Sequence, residues 1–227
     1  MGRDQVEPVV RRAEHEIYTR RLLIIYDHLV LGFYLRWVWR CPRSVLADHY
    51  RDQIGRRHLD VGPGTGYFLD VAELSAGTAI TLLDPNPEVL AHAAHRLAVH
   101  TPTTVRADAC QPLPISGPFD SAALNLVLHC IAGTDRKAAA IRHTAATLHE
   151  DGVLFGASIL GSPEVHSRLG RIALAALNRR GVFANLDDTE TVLRDLLDDT
   201  FDQVALTRVG ALAIFTARQP HRHELGG

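Results

Sequence analysis

An open, doubly wound α/β sheet is the fold this sequence predicts, and three observations predict it. Short apolar runs alternate with helix-patterned segments across residues 55–218. The first run, Arg57–Val61, gives way to a turn carrying Gly62, Gly64 and Gly66, and then to apolar residues at helical spacing: Tyr67, Phe68, Leu69, Val71, Ala72 and Leu74. Acids stand at the carboxyl ends of the next two runs, Asp84 and Asp108, on the edge where open α/β sheets take their ligands. A length of 227 residues with 46% hydrophobic side chains suits one domain with a full core.

Taken in order, residues 1–7 are polar, and Pro8 suits the first turn of a helix reaching Arg21. Leu22–Arg40 reads as a second helix, with positions 22, 26, 29/30, 33 and 37 on one apolar face that packs on the core and covers the ligand edge. Cys41-Pro42 breaks it, and a third helix from Pro42 to Gln53 leads into the first strand. Gly77 closes the helix after the glycine turn, Ala79–Leu83 is the second strand, and Asn86-Pro87 starts the next helix. Thr103–Ala107 is the third strand. In Pro118–His129, Asp120 opens the fourth, Ala122–Leu124 is its buried stretch, and Asn125 marks its carboxyl edge. Thr134-Asp135 caps a helix to His149, and Asp151-Gly152 turns into a fifth strand, Val153–Leu160.

An added helix, Ser162–Arg180, ends at Gly181, and a further helix runs from Leu186 to Leu197. Phe201–Val209 and Ala211–Ala217 form a closing hairpin about Gly210, followed by a polar tail expected to lack order. The expected organisation is a helical cap over 1–54, a ligand-binding core over 55–218 with a helical lid at 162–181, and a tail at 219–227.

Several function classes are disfavoured. A net charge of −2 gives no global electrostatic case for nucleic acid. No apolar run approaches the roughly 20 residues of a membrane span. The charged N-terminus does not read as a signal peptide, and Cys41, Cys110 and Cys130 are scattered as in a reducing cytosol, so a cytoplasmic location is expected. Cysteine and histidine lack metal-ligand spacing, and no metal is expected.

A dinucleotide fingerprint, Gly-x-Gly-x-x-Gly, would require glycine where the chain has Tyr67. The glycines alternate instead, behind an acid: Asp60-x-Gly62-x-Gly64-x-Gly66. This arrangement resembles the first motif of class I S-adenosylmethionine (SAM)-dependent methyltransferases, and the strand–helix order resembles the family over the whole core. The resemblance implies a Rossmann-like sheet of seven strands, six parallel and one antiparallel, with an N-terminal helical cap. It implies SAM as cofactor and S-adenosylhomocysteine (SAH) as product. Asp60 and the three glycines would meet the amino-acid end, and Asp84, with Pro85 and Asn86, the ribose. A carboxylate can accept from both ribose hydroxyls. Asp108 would take the adenine amino group, the Ala109 N–H a ring nitrogen, and Asn125 would line the same edge. The bland readings are a glycine-rich βα turn for the first motif, a turn-forming Asp-Pro for Asp84 and an exposed loop acid for Asp108. Tyr26-Asp27 followed by Trp39-Arg40 is similar to the layout ahead of this motif in ubiquinone/menaquinone biosynthesis methyltransferases, which would place Tyr26 over the methionine end.

Transfer from a sulfonium needs acceptor, methyl and sulfur held in line, and a base where the acceptor must lose a proton. The candidates are His129, His28 and Tyr26, with a packing histidine as the plain alternative for His129. The expected acceptor pocket lies between Tyr18–Trp39, the loop after Asn125, and Ser162–Arg180. Its apolar and aromatic walls favour a small hydrophobic or aromatic metabolite, as in specialised metabolism. A non-methylating SAM-binding enzyme, a cyclase or isomerase, is the alternative on the same residues, and a homodimer is left open.

Overall fold

The computed structural model describes residues 27–115 and 117–221. Seven strands form one sheet in the order β3-β2-β1-β4-β5-β7-β6. They are β1 (Arg57–Val61), β2 (Ala79–Asp84), β3 (Thr103–Arg106), β4 (Phe119–Asn125), β5 (Leu148–Ile159), β6 (Phe201–Val209) and β7 (Leu212–Pro220). Only β7 runs against the others, pairing antiparallel with both β5 and β6. The strand order reverses between β1 and β4, which pair in parallel, so their carboxyl ends flank the crevice where such sheets bind ligands.

Alternation along the strands sorts the core into two layers. His58 and Asp60 of β1, with Ile80 and Leu82 of β2 and Ala123 of β4, face one layer; Leu59, Val61, Leu83, Ala122 and Leu124 face the other. Helices α1 (Arg43–Gln53), α2 (Tyr67–Val71), α3 (Pro87–Arg96) and α5 (Arg168–Arg179) cover the first layer, while α4 (Thr134–Ala145) and α6 (Glu190–Asp198) cover the second. Two caps follow the sequence signals, Asn86 Oδ1 accepting from the Glu88 N–H and Thr189 Oγ1 from the Val192 N–H, whereas α4 starts at Thr134 behind Gly133 without a side-chain cap.

The structure departs from the sequence expectations at several places, among them the start of α6, which the Thr189 cap sets at Glu190 rather than Leu186. A wide, π-type helix spans Asp27–Val38, with the Trp39 N–H bonded to the Tyr34 carbonyl. That winding rotates the side chains away from 3.6-residue spacing, so Phe33 and Trp37 are exposed while Leu35, Val38 and Trp39 are buried. Helix α2 stops at Val71, before Leu74 and Gly77, where Glu73 adopts φ 55°. Helix α4 ends at Ala145 and β5 begins at Leu148, opposite Phe119, with an irregularity before Val153 pairs with Ser121. The turn signal at Asp151-Gly152 is that bulge inside a strand. The added helix begins at Ser167, whose hydroxyl accepts from the Gly170 N–H; Ser162 instead opens a short turn, Pro163–Val165. Finally, β7 runs through Gln219 to Pro220, which pairs with Phe201, so the tail starts later than expected.

The excursion from β5 to α6 is closed on itself. The Gly161 N–H donates to the Asp188 carbonyl (2.8 Å), and Asn185 Nδ2 donates to the Ile159 carbonyl (2.7 Å). A Cβ on Gly161 would lie 1.8 Å from the Asn185 carbonyl oxygen, so only glycine lets the two ends touch. Lys137 of α4, buried, bonds the Ala184 carbonyl and the Asp188 carboxylate.

Candidate active site

The turn after β1 is built as its glycines require. Gly62, Gly64 and Gly66 all have positive φ, at 67°, 55° and 74°. A side chain on Gly62 would meet Val127 at 2.6 Å, whereas a Cβ on Gly64 would meet nothing within 4 Å. Gly64 thus presents bare backbone to open space, the form a turn takes when a ligand must approach the main chain. Thr65, at the crest, is buried and receives a bond from Arg96 of α3.

Beneath the turn lies Asp60, 2% exposed. Its oxygens sit 3.3 and 3.4 Å from the Tyr50 hydroxyl, contributed by α1. Burial pushes the Asp60 carboxyl from 3.8 up to about 8, and the Tyr50 bond offsets only part of that rise. Tyr50 stacks on Phe68 and meets Phe155 edge-on. Its hydroxyl pKa is raised by burial and by the adjacent carboxyl. His58, one turn of the pleat below, is wholly buried against Phe155; burial holds it near 3, so it is neutral.

At the tip of β2, Asp84 Oδ1 accepts from the Asn86 N–H at 2.7 Å. Burial raises this carboxyl to about 6. Asn86 is buried, and its Nδ2 has no partner among the described residues. Pro85 is exposed and offers its carbonyl to Arg106. Beyond β3, Asp108 Oδ1 accepts from the Cys110 N–H at 2.9 Å and Oδ2 from the Arg136 guanidinium at 3.3 Å. Ala109 is buried, with His143 Nδ1 3.1 Å from its carbonyl.

At the exit of β4, Asn125 is buried on the same sheet face as Asp60, two residues beyond its register partner Ala123. Asn125 Nδ2 has no hydrogen-bond partner among the described residues. Leu126 then turns left-handed at φ 61°, unusual for a branched apolar residue.

His129 is 3% exposed, and its Nδ1 accepts from the Ile159 N–H at 3.3 Å. Burial, with a smaller push from Lys137, holds this imidazole near 3. It is therefore neutral, and its Nδ1 lone pair is taken. Its ring meets Phe183 at 4.5 Å; Phe183 lies 5.9 Å from Trp39, and Trp39 lies 5.5 Å from His166. This row of rings joins the β4 exit to the added segment. Tyr18 and Tyr26 lie outside the described residues, and so does the His28 side chain.

Tyr50 and Val127 escaped the sequence reading. Tyr50 sits on a helix with no motif, ten residues before its partner. Val127 belongs to an apolar run where no single residue stands out.

These residues fit a sulfonium nucleoside with an amino-acid tail. The bare Gly64 backbone leaves room beside the turn, Asp60 is a buried acid with no cation near it among the described residues, and two buried amides at the strand tips, Asn86 and Asn125, have donors unspent.

Comparison with known proteins points the same way. The family profile described as "Methyltransferase domain" matches residues 59–154. Demethylluteothin O-methyltransferase from Streptomyces thioluteus is 39% identical over 203 residues, covering 88% of each chain. The physcion biosynthesis cluster O-methyltransferase from Aspergillus chevalieri is 32% identical over 209 residues, covering 90% of this chain and 94% of its own. Among solved structures, N-methyltransferase NodS from Bradyrhizobium japonicum WM9 in complex with SAH superposes with a TM-score of 0.61 at 16% identity. It covers 88% of this chain and 98% of its own, a likeness of fold.

Proposed function

The chain belongs to the class I SAM-dependent methyltransferases, and we propose that it methylates a hydroxyl of a small hydrophobic or aromatic metabolite. Transfer to oxygen rests on the names of the relatives above. The apolar character of the acceptor is inferred from Leu126, Val165, Phe183 and Tyr34, partly buried hydrophobic residues packed on the same core layer as Asp60. The single observation that carries the site is the pairing of an open, left-handed glycine turn with an uncompensated buried acid two residues before it.

Bound SAM supplies an activated methyl group. The chain's own residues hold what surrounds it. Asp60 receives the ammonium, and the open backbone at Gly64, in a turn that Gly62 and Gly66 shape by their positive φ, lets the amino-acid tail lie against it. Asp84 accepts from the ribose hydroxyls, while Pro85 and Asn86 fix its loop. Asp108 retains capacity to accept from an amino group, and Ala109 lies beside it. Asn125 donates at the β4 edge.

His129 at neutral pH carries its proton on Nε2, so it acts as a wall and a donor rather than a base. A phenolic acceptor, acidic in itself, suits such a site. His28 and Tyr26 remain the other groups for a proton step. No observation favours the cyclase or isomerase reading.

Among the described residues no helix is long and apolar enough to cross a membrane. A cytoplasmic location and a homodimer complete the proposal; the exposed Phe33, Trp37, Leu169 and Ile172 on two contacting helices support the latter. Incubation with methyl-labelled SAM and a panel of phenols tests the reading. Label on product oxygen is expected, and conversion without label would overturn it.

A further inference from the structure

We propose that Tyr50 is a positioning residue for cofactor binding, its hydroxyl orienting the Asp60 carboxyl beneath the glycine turn. The inference rests on Asp60 receiving the cofactor ammonium. Three placements carry it. Asp60 and Asn125 come from adjacent strands and share one sheet face, with Ala123 between them in register. The Tyr50 hydroxyl lies 3.3 and 3.4 Å from the two carboxyl oxygens, while the buried Asn125 Nδ2 has no hydrogen bond among the described residues. The phenol ring cannot drift, since it is 3% exposed, stacked on Phe68 at 5.5 Å and met by Phe155 at 5.1 Å.

Among the described residues, no other polar side chain bonds the Asp60 carboxyl. His58 on β1 is the other titratable group facing the layer; it is neutral and spends Nδ1 on Ser121. On α1, His49 is bonded at the Phe215 carbonyl and Arg51 is paired with Asp48 at the surface. The neighbours on β2, β4 and α2 are Leu82, Ala123 and Phe68. Among the described residues no cation stands beside Asp60, and burial raises the carboxyl to about 8, which favours the protonated form near neutrality. When an ammonium arrives, Asp60 releases its proton to solvent, and the Tyr50 O–H donates to the carboxylate that remains. The hydroxyl thus stabilises the charged form that binds, and fixes which way its lone pairs face.

The experiment compares wild type, Tyr50→Phe and Asp60→Asn. Tyr50→Phe keeps the packed ring and removes only the hydroxyl. The Asp60 carboxyl carbon is titrated by NMR in the free protein, and SAH affinity is followed by calorimetry across the same pH range. In Tyr50→Phe the carboxyl should titrate at higher pH. SAH should bind about tenfold more weakly near neutrality, with the loss shrinking as pH rises. Unchanged SAH affinity in Asp60→Asn would remove the ammonium reading itself. Weakened binding in Asp60→Asn, with wild-type affinity and titration in Tyr50→Phe, would overturn the role of Tyr50 alone. A Tyr50→Phe chain that melts earlier but keeps the wild-type pH profile of binding would also overturn it, by making the contact merely structural.

Discussion

Replacing Asp60 by Asn should make the free protein more stable and the enzyme worse, and the pH dependence of the first effect identifies its cause. The folded carboxyl sits at about 8, against 3.8 for a free one. A raised folded value means that stability is fully present below the unfolded value and is lost as pH rises through the folded one. Between these limits the folded chain keeps a proton that the unfolded chain has released, and each pH unit costs about 1.4 kcal/mol. At about pH 7 some three such units have accumulated, about 4 kcal/mol. An Asn side chain carries no charge to bury, and its Oδ1 can still accept from Tyr50. Its amide N–H groups gain no partner, which makes 4 kcal/mol the ceiling. In a chain of this size the gain is worth about 2–4 °C of melting temperature per kcal/mol. Thermal melts of both proteins across the acid-to-neutral range should show a stabilisation that grows with pH and vanishes near pH 4. SAH affinity should meanwhile fall tenfold or more. A melting difference flat with pH would mean that Asp60 is ionised and compensated in the free protein, and the reasoning would fail.

The remaining predictions follow from the same geometry. Gly64→Val should abolish SAH binding by calorimetry and cost about 1–2 kcal/mol of stability, because valine must hold a left-handed backbone; wild-type affinity would contradict the open cradle. Asp84→Ala should weaken SAM binding by about 1–3 kcal/mol, and wild-type affinity should decline as pH falls through about 6, where this carboxyl takes up a proton. His129→Ala should lower the melting temperature, at about 2–4 kcal/mol for the cavity and the lost acceptor, yet keep the shape of the neutral pH–rate profile; losing a limb there would restore His129 as the base. Asp188→Ala strands the buried Lys137 ammonium and should cost about 3–5 kcal/mol in chemical denaturation; a loss below 1 kcal/mol, the range of exposed pairs, would show that Lys137 reaches water.

The first βα unit was legible because everything it needs is contiguous. An acid, three glycines at alternate positions and a helix-spaced run occupy residues 60–71, and each reports a local backbone demand. The strand tips at Asp84 and Asp108 were legible for the same reason. What stayed hidden is what the sheet assembles. Tyr50 touches Asp60 only after α1 has packed across β1. The neutral state of His129 follows from burial and one backbone N–H supplied thirty residues later by Ile159. Boundaries failed where one local signal served another purpose. The Asp-Gly pair at 151–152 marks a bulge within β5, and Ser162 caps a three-residue turn while Ser167 caps the helix. The Phe33/Trp37 face was misjudged because a 3.6-residue period was imposed on a wider helix.

The stapled neck formed by Gly161, Asn185 and Asp188 makes the stretch between them a closed unit. Its two ends meet through the main chain, and Asn178 from within the stretch bonds Asn185 twice, so the neck and the helix it encloses hold each other in place.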